Sequence, residues 1–171
     1  PDLSDCGTFG LFADRASIVR ATDGDFSGAG ANGIRAAEEA TIAARRATIS
    51  NCGSDAVQAT RSGQIGVNDS DISNPSGYGV LATFGGSINA LNTSVSGADS
   101  AVVASGGQID VTDSDLANSV NNDIRCQRGG RVNATNATTT SSSGDLPHAD
   151  DVDFVGFDTS EGIIFAAFET A

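Results

Sequence analysis

Two pairs of carboxylates are the residues of this chain best spaced for chemistry. The stretch "GQIGVNDSDIS" (63–73) holds Asp69 and Asp71, and "GQIDVTDSDLA" (107–117) holds Asp113 and Asp115. Two acids flanking a sugar are what glycoside hydrolysis requires, about 5–5.5 Å apart for retention and about 6.5–9.5 Å for inversion. Two positions apart on one strand, the members of each pair would stand about 6.6–7 Å apart. The spacing permits inversion, but a sugar also needs an aromatic platform, and only Tyr78 and Phe84 offer one nearby. The same pairs, with Asn92 between them, present hard oxygen ligands suited to calcium. They lack the glycine-aspartate nonapeptide pattern of a dedicated calcium repeat, so no cofactor is expected and calcium is the one ion the residues admit. Lyase chemistry wants a cationic or phenolic base. Lys is absent, and His148 stands alone in an irregular region. Arg125, Arg128 and Arg131 crowd together in sequence. They suit an acidic glycan less than neutralisation of Asp123 or of the acidic residues Asp150, Asp151 and Asp153.

What positions the pairs is an internal repeat. Between the two copies lies "GSINALNTSVS" (86–96), the same pattern without its charges. Aligning the chain on its apolar residues gives three series: Leu11, Ile34, Val57, Val80, Val102, Ile124; then Val19, Ile42, Ile65, Ile88, Ile109, Val132; then Phe26, Ile49, Ile72, Val95, Leu116 and the weaker Thr138. Each keeps a period of about 22–23 residues, so the repeat is the organising fact. Within a unit, apolar and polar residues alternate with period two, the strand signature. Joints such as "SGAGANG", "SNPSG" and "FGGS" supply turn residues. Three short strands per unit describe a right-handed parallel β-helix of about six coils. By composition "IRAAEEATIAARRA" (34–47) suits a helix, but its register places Ile34, Ala36, Ile42 and Ala44 on strand columns.

In such a solenoid each residue stacks on its counterpart one coil away, about 4.8 Å distant, and adjacent like charges are costly. One outward column reads Asp23, Arg46, Asp69, Asn92, Asp113, Asn136, and a second reads Asp25, Thr48, Asp71, Ser94, Asp115, Thr138. Every carboxylate in them is followed by a neutral or cationic neighbour, which keeps like charges roughly 9.6 Å apart, about one Debye length at physiological salt. A third column reads Arg15, Glu38, Arg61. The Asp pairs are therefore read first as ladder residues, and Asp69, Asp71, Tyr78, Asn92, Asp113 and Asp115 as ligand-binding candidates rather than as catalysts.

The 171 residues suffice for one domain, and the formal charge of −13 argues against nucleic acid and anionic membrane as partners. No apolar run is long enough to span a bilayer. Cys6, Cys52 and Cys126 show no metal spacing and read as free thiols of a reducing cytoplasm. Residues 1–8 read as the leading segment of a fragment, 9–139 as the β-helix and 140–171 as a linker with a carboxy-terminal segment. Phe154, Val155, Phe157, Ile163, Ile164, Phe165 and Phe168 make that last segment apolar. It is expected to form two short strands, near 153–157 and 162–168, that cap the solenoid and join subunits, because an uncapped end exposes unpaired strand edges.

The units "G-(I/V)-x-A … G-G-x-I-x-A-x-x-(S/T)" resemble the β-helical parts of bacteriophage tailspike and tail-fibre proteins. "SVNNDIRCQRGGRVNATNATT" (119–139), followed by "EGIIF" (161–165), is similar to the carboxy-terminal ends of such proteins. The resemblance implies a homotrimer at the tip of a virion, made in the host cytoplasm, joined to other tail proteins and binding host cell-surface polysaccharide. It also leaves open, as the alternative, depolymerase activity through Asp69, Asp71, Asp113 and Asp115. A repeated flat Thr-rich column, as an ice-binding surface requires, is absent.

Overall fold

The computed structural model describes residues 1–139 and the backbone of 148–149. Successive coils contribute β1 (Leu11–Ala13) and β2 (Ile18–Arg20); β3 (Ile34–Ala36), β4 (Thr41–Ala43) and β5 (Thr48–Ser50); β6 (Val57–Thr60), β7 (Gln64–Gly66) and β8 (Asp71–Ser73); β9 (Val80–Thr83), β10 (Ser87–Asn89) and β11 (Ser94–Ser96); β12 (Ser100–Ser105), β13 (Gln108–Asp110) and β14 (Asp115–Ala117); β15 (Asn122–Gln127), β16 (Arg131–Asn133) and β17 (Thr138–Thr139); and last β18 (His148–Ala149). All pairings between these strands are parallel, and each strand pairs with its counterpart in the next coil. Three sheets result: face I (β1-β3-β6-β9-β12-β15-β18), face II (β2-β4-β7-β10-β13-β16) and face III (β5-β8-β11-β14-β17). The chain is a parallel β-helix of about six turns, and the stretch 34–47 is strand, as its register requires.

The register follows the apolar series. Leu11 lies beside Ile34, Ile34 beside Val57, and so on to Ile124. Val19, Ile42, Ile65, Ile88, Ile109 and Val132 stack along face II. With the alanine columns they form one continuous core in which Ile34, Ile49, Ile72, Val95 and Leu116 are fully buried. Cys126 extends the column of Ala82 and Ala104 and is fully buried. Its thiol is pushed up to about 12 by loss of hydration. Burial raises the Cys52 thiol too, and all three cysteines are free.

Two details depart from the expected columns. Thr139, not Thr138, lies beside Leu116, and Thr138 lies beside Asp115. The period also contracts to 21 between the fourth and fifth coils on faces II and III, as in the Thr93–Ser114 pairing. The fifth coil lost one residue in each of two corners: "SGADSA" replaces "SNPSGYG", and "SGG" replaces "TFGG". Corners absorb such deletions, whereas a change of one residue inside a strand would turn its core face outward.

The corners turn on left-handed backbone. At the corner between faces II and III, Asp23, Arg46, Asp69, Asn92, Asp113 and Asn136 all have φ between 51° and 58°. Asp5, Gly28, Asn51, Asn74, Gly97 and Asn118 repeat this between faces III and I, as do Arg15, Glu38, Arg61, Phe84, Gly106 and Arg128 between faces I and II. Asn, Asp and Gly are the residues that take this conformation at least cost, which accounts for the Asp- and Asn-rich joints.

Candidate functional site

The corner between faces II and III carries the predicted residues. Asp69 and Asp113 sit on its left-handed turn, whereas Asp71 and Asp115 open β8 and β14. The members of each pair are therefore not on one strand, and the strand-derived spacing does not apply to them. Arg46, Thr48, Asp69, Asp71, Asn92 and Ser94 line a shallow open depression along this corner. Arg46 donates twice to Asp23, from Nε at 2.7 Å and from Nη2 at 2.9 Å. Asn92 Nδ2 donates to Asp69 Oδ1 at 2.9 Å, Asn136 Nδ2 to Asp113 Oδ1 at 3.0 Å, and Thr138 Oγ1 to Asp115 Oδ1 at 2.8 Å. Asp23 is held below the usual carboxylate range by the Arg46 hydrogen bonds, and Arg46 is raised in turn. Ions also alternate along the Arg15, Glu38, Arg61 column, at 3.8 and 3.5 Å. Among the described residues of these columns the alternation has one exception: Asp2 stacks on Asp25. Each carboxylate there turns to its own chain, Asp2 to Ser4 and Asp25 to the Ser27 N–H.

This arrangement suits holding hydroxyls better than moving protons. Asp69, Asp71, Asp113 and Asp115 are exposed, whereas a general acid is tuned by burial beside a reacting group. The carboxyls raised by burial are Asp55 and Asp123. Asp55 is satisfied structurally: Oδ1 accepts from the Tyr78 N–H at 3.0 Å, and Oδ2 from Gln58 at 3.0 Å and Asn32 at 3.4 Å. Tyr78 thus belongs to the corner between faces III and I, apart from the Asp ladder. The three late arginines separate as well. Arg125 is on face I, Arg128 at the corner between faces I and II, and Arg131 on face II. Among the described residues no ion pair joins any of them to Asp123, and no group of three or more His, Cys, Asp or Glu is placed to hold a metal. The two calcium candidates, the Asp69/Asp71 and Asp113/Asp115 pairs, thus have no third such ligand. Phe154, Val155, Phe157, Ile163, Ile164, Phe165 and Phe168, with the two strands expected there, lie outside the described residues.

A second polar surface escaped the sequence reading. On the outside of face II, Ser87, Asn89, Gln108, Asp110, Arg131 and Asn133 line an open groove. They come from "GSIN", "GQID" and "GRVN", where the residues flanking each inward Ile or Val point outward. Asn133 Nδ2 reaches Asp110 Oδ2 at 3.3 Å and Thr112 Oγ1 at 3.2 Å, while Asp110 Oδ1 accepts the Thr112 N–H and hydroxyl at 3.0 and 2.6 Å. Phe84, 72 % exposed, stands on the corner three residues before β10. The signal was the pair of columns either side of the buried aliphatics, visible once register replaces motif as the search pattern. Neither a family model, nor a curated protein, nor a solved structure matches this chain.

Proposed function

We propose that the chain is a host-receptor module of a bacteriophage tail fibre or tailspike, binding cell-surface polysaccharide without cleaving it. The observation that carries this reading is the face II groove: amide, carboxylate, hydroxyl and guanidinium groups stand on consecutive rigid rungs, and an exposed aromatic, Phe84, stands on the corner that leads into β10. Saccharides are bound by such planar polar groups together with an aromatic surface. Strands hold these groups in place before the ligand arrives, so little side-chain ordering is left to oppose binding. The Asp69–Asn92 and Asp113–Asn136 ladder extends the polar surface around the corner. In this reading three chains associate, with residues 140–171 as cap and subunit contact, and the assembly is carried on a virion with other tail proteins. No cofactor takes part.

Binding to a panel of bacterial capsular polysaccharides and lipopolysaccharides tests it. The intact chain should retain at least one of them, and Asp110→Ala with Phe84→Ala should weaken retention roughly tenfold or more while leaving the far-ultraviolet spectrum unchanged. Retention of none, or retention unaffected by these substitutions, overturns the groove assignment. Release of oligosaccharides that stops in Asp69→Asn or Asp113→Asn would instead establish the hydrolase reading.

A further inference from the structure

The charge alternation at the corner between faces I and II stops short of its last arginine. The first three coils read Arg15, Glu38, Arg61, and Glu38 pairs with the arginine on either side. The next three read Phe84, Gly106 and Arg128, all at left-handed φ like the first three. Arg128 therefore stands to Gly106 as Arg61 stands to Glu38, one rung of about 4.8 Å away. Where Arg61 finds a carboxylate, Arg128 finds a glycine. Arg128 is exposed, and among the described residues it joins no ion pair.

The backbone does not require this gap. Five coils carry a side chain at this corner, at φ between 48° and 55°. A Cβ on Gly106 would meet only backbone, the Arg128 carbonyl oxygen at 3.4 Å and the Phe84 nitrogen at 3.9 Å. The gap comes instead from the shortened corner, "SGG" where the preceding coil has "TFGG". One rung before it stands Phe84, 72 % exposed. Beside it run Gln108 and Arg131, which line the face II groove. An aromatic ring, two exposed guanidiniums and an amide thus surround a place with no side chain of its own.

We infer that this gap takes the carboxylate of a uronic acid within the bound polysaccharide, an inference that rests on the glycan reading above. The ligand carboxylate stands to Arg128 as Glu38 stands to Arg61 and accepts from its guanidinium; such charge-assisted pairs are short and strong. The sugar ring that bears it lies toward Phe84, one rung away, with its next neighbours over Gln108 and the groove. Between Arg61 and Arg125 the chain holds seven carboxylates and no Lys or Arg. A polymer charged at every sugar is repelled by that field, so the fit is to isolated uronic acids among neutral sugars.

Affinity electrophoresis of the full chain in gels containing uronic-acid-bearing capsular polysaccharides tests this, each polymer being compared with its own carboxyl-reduced, neutral form. The chain should bind at least one acidic polymer, and the reduced form of it roughly tenfold or more weakly. Arg128→Gln should erase that difference with an unchanged far-ultraviolet spectrum. Gly106→Asp, which sets an internal carboxylate beside Arg128, should erase it too. Equal binding of the acidic and reduced forms would overturn the inference and leave glycan binding standing. So would a preference for the acidic form that survives Arg128→Gln. Binding of no polysaccharide, acidic or neutral, would remove the glycan reading and this inference with it.

Discussion

At the scale of the residue, two constraints meet in the corner ladder. Its backbone is left-handed, which selects Asp and Asn, and its rungs are about 4.8 Å apart, which forbids Asp on Asp. Asn92 satisfies both, since it tolerates its φ of 51° and donates to Asp69. Asn92→Asp keeps the backbone preference and places three carboxylates in line with Asp69 and Asp113. It should lower stability by up to about 1 kcal/mol near pH 7. The loss should fade below about pH 4, where carboxylates protonate, and shrink with added salt; denaturant midpoints across pH would reveal a pH-independent loss if charge were not the cause. Arg46 offers the converse. Asp23 titrates below its ordinary value because Arg46 hydrogen-bonds its ionised form, so its stabilisation is present above the unfolded value of about 3.9 and is lost as pH falls through the folded one. In Arg46→Gln the Asp23 carboxyl, followed by NMR, should move up toward the ordinary range.

At the scale of the element, each strand of the coils is only two to six residues long, and isolated strands of that length have little stability. They persist because both neighbours pair with them and their inward side chain is buried. Ile72→Ala, between the fully buried Ile49 and Val95, should cost about 2–5 kcal/mol, read as a lower denaturant midpoint with an unchanged fold. Gly97 is more local: its φ is +66°, and a Cβ there would run into the Asn74 side chain of the preceding coil. Gly97→Ala should therefore destabilise by about 1 kcal/mol or more through strain alone. Much of this was legible in the sequence. Val57, Ile65 and Ile72 mark three columns, and their counterparts a coil away confirm the register. What the period could not convey was backbone sign. Asp69 looked like a strand residue two places from Asp71, when it is the corner itself. Nor do columns reveal what lies outside them: the Ser87–Asn133 groove depends on a face that forms only when coils stack.

At the scale of the whole molecule, a net charge of −13 opposes compaction. Raising salt from low ionic strength to about 0.15 M, where the Debye length is about 8 Å, should raise the thermal midpoint, even as it weakens the Arg46–Asp23 pair; a falling midpoint would mean that ion pairs outweigh self-repulsion. Association is a separate matter: sedimentation at micromolar concentration should give three times the 17.1 kDa chain mass, and a clean monomer removes the trimer from the proposal. Everything else depends on the stacking of coil on coil, and a disulfide tests that most directly. Gln64 and Ser87 are register partners on face II, at a separation of about 4.8 Å that lies within disulfide reach. Gln64→Cys with Ser87→Cys should oxidise readily to an intrachain bond. Gln64→Cys with Gln108→Cys, two rungs apart, should not. Equal cross-linking of the two pairs, or none in the first, would contradict the solenoid.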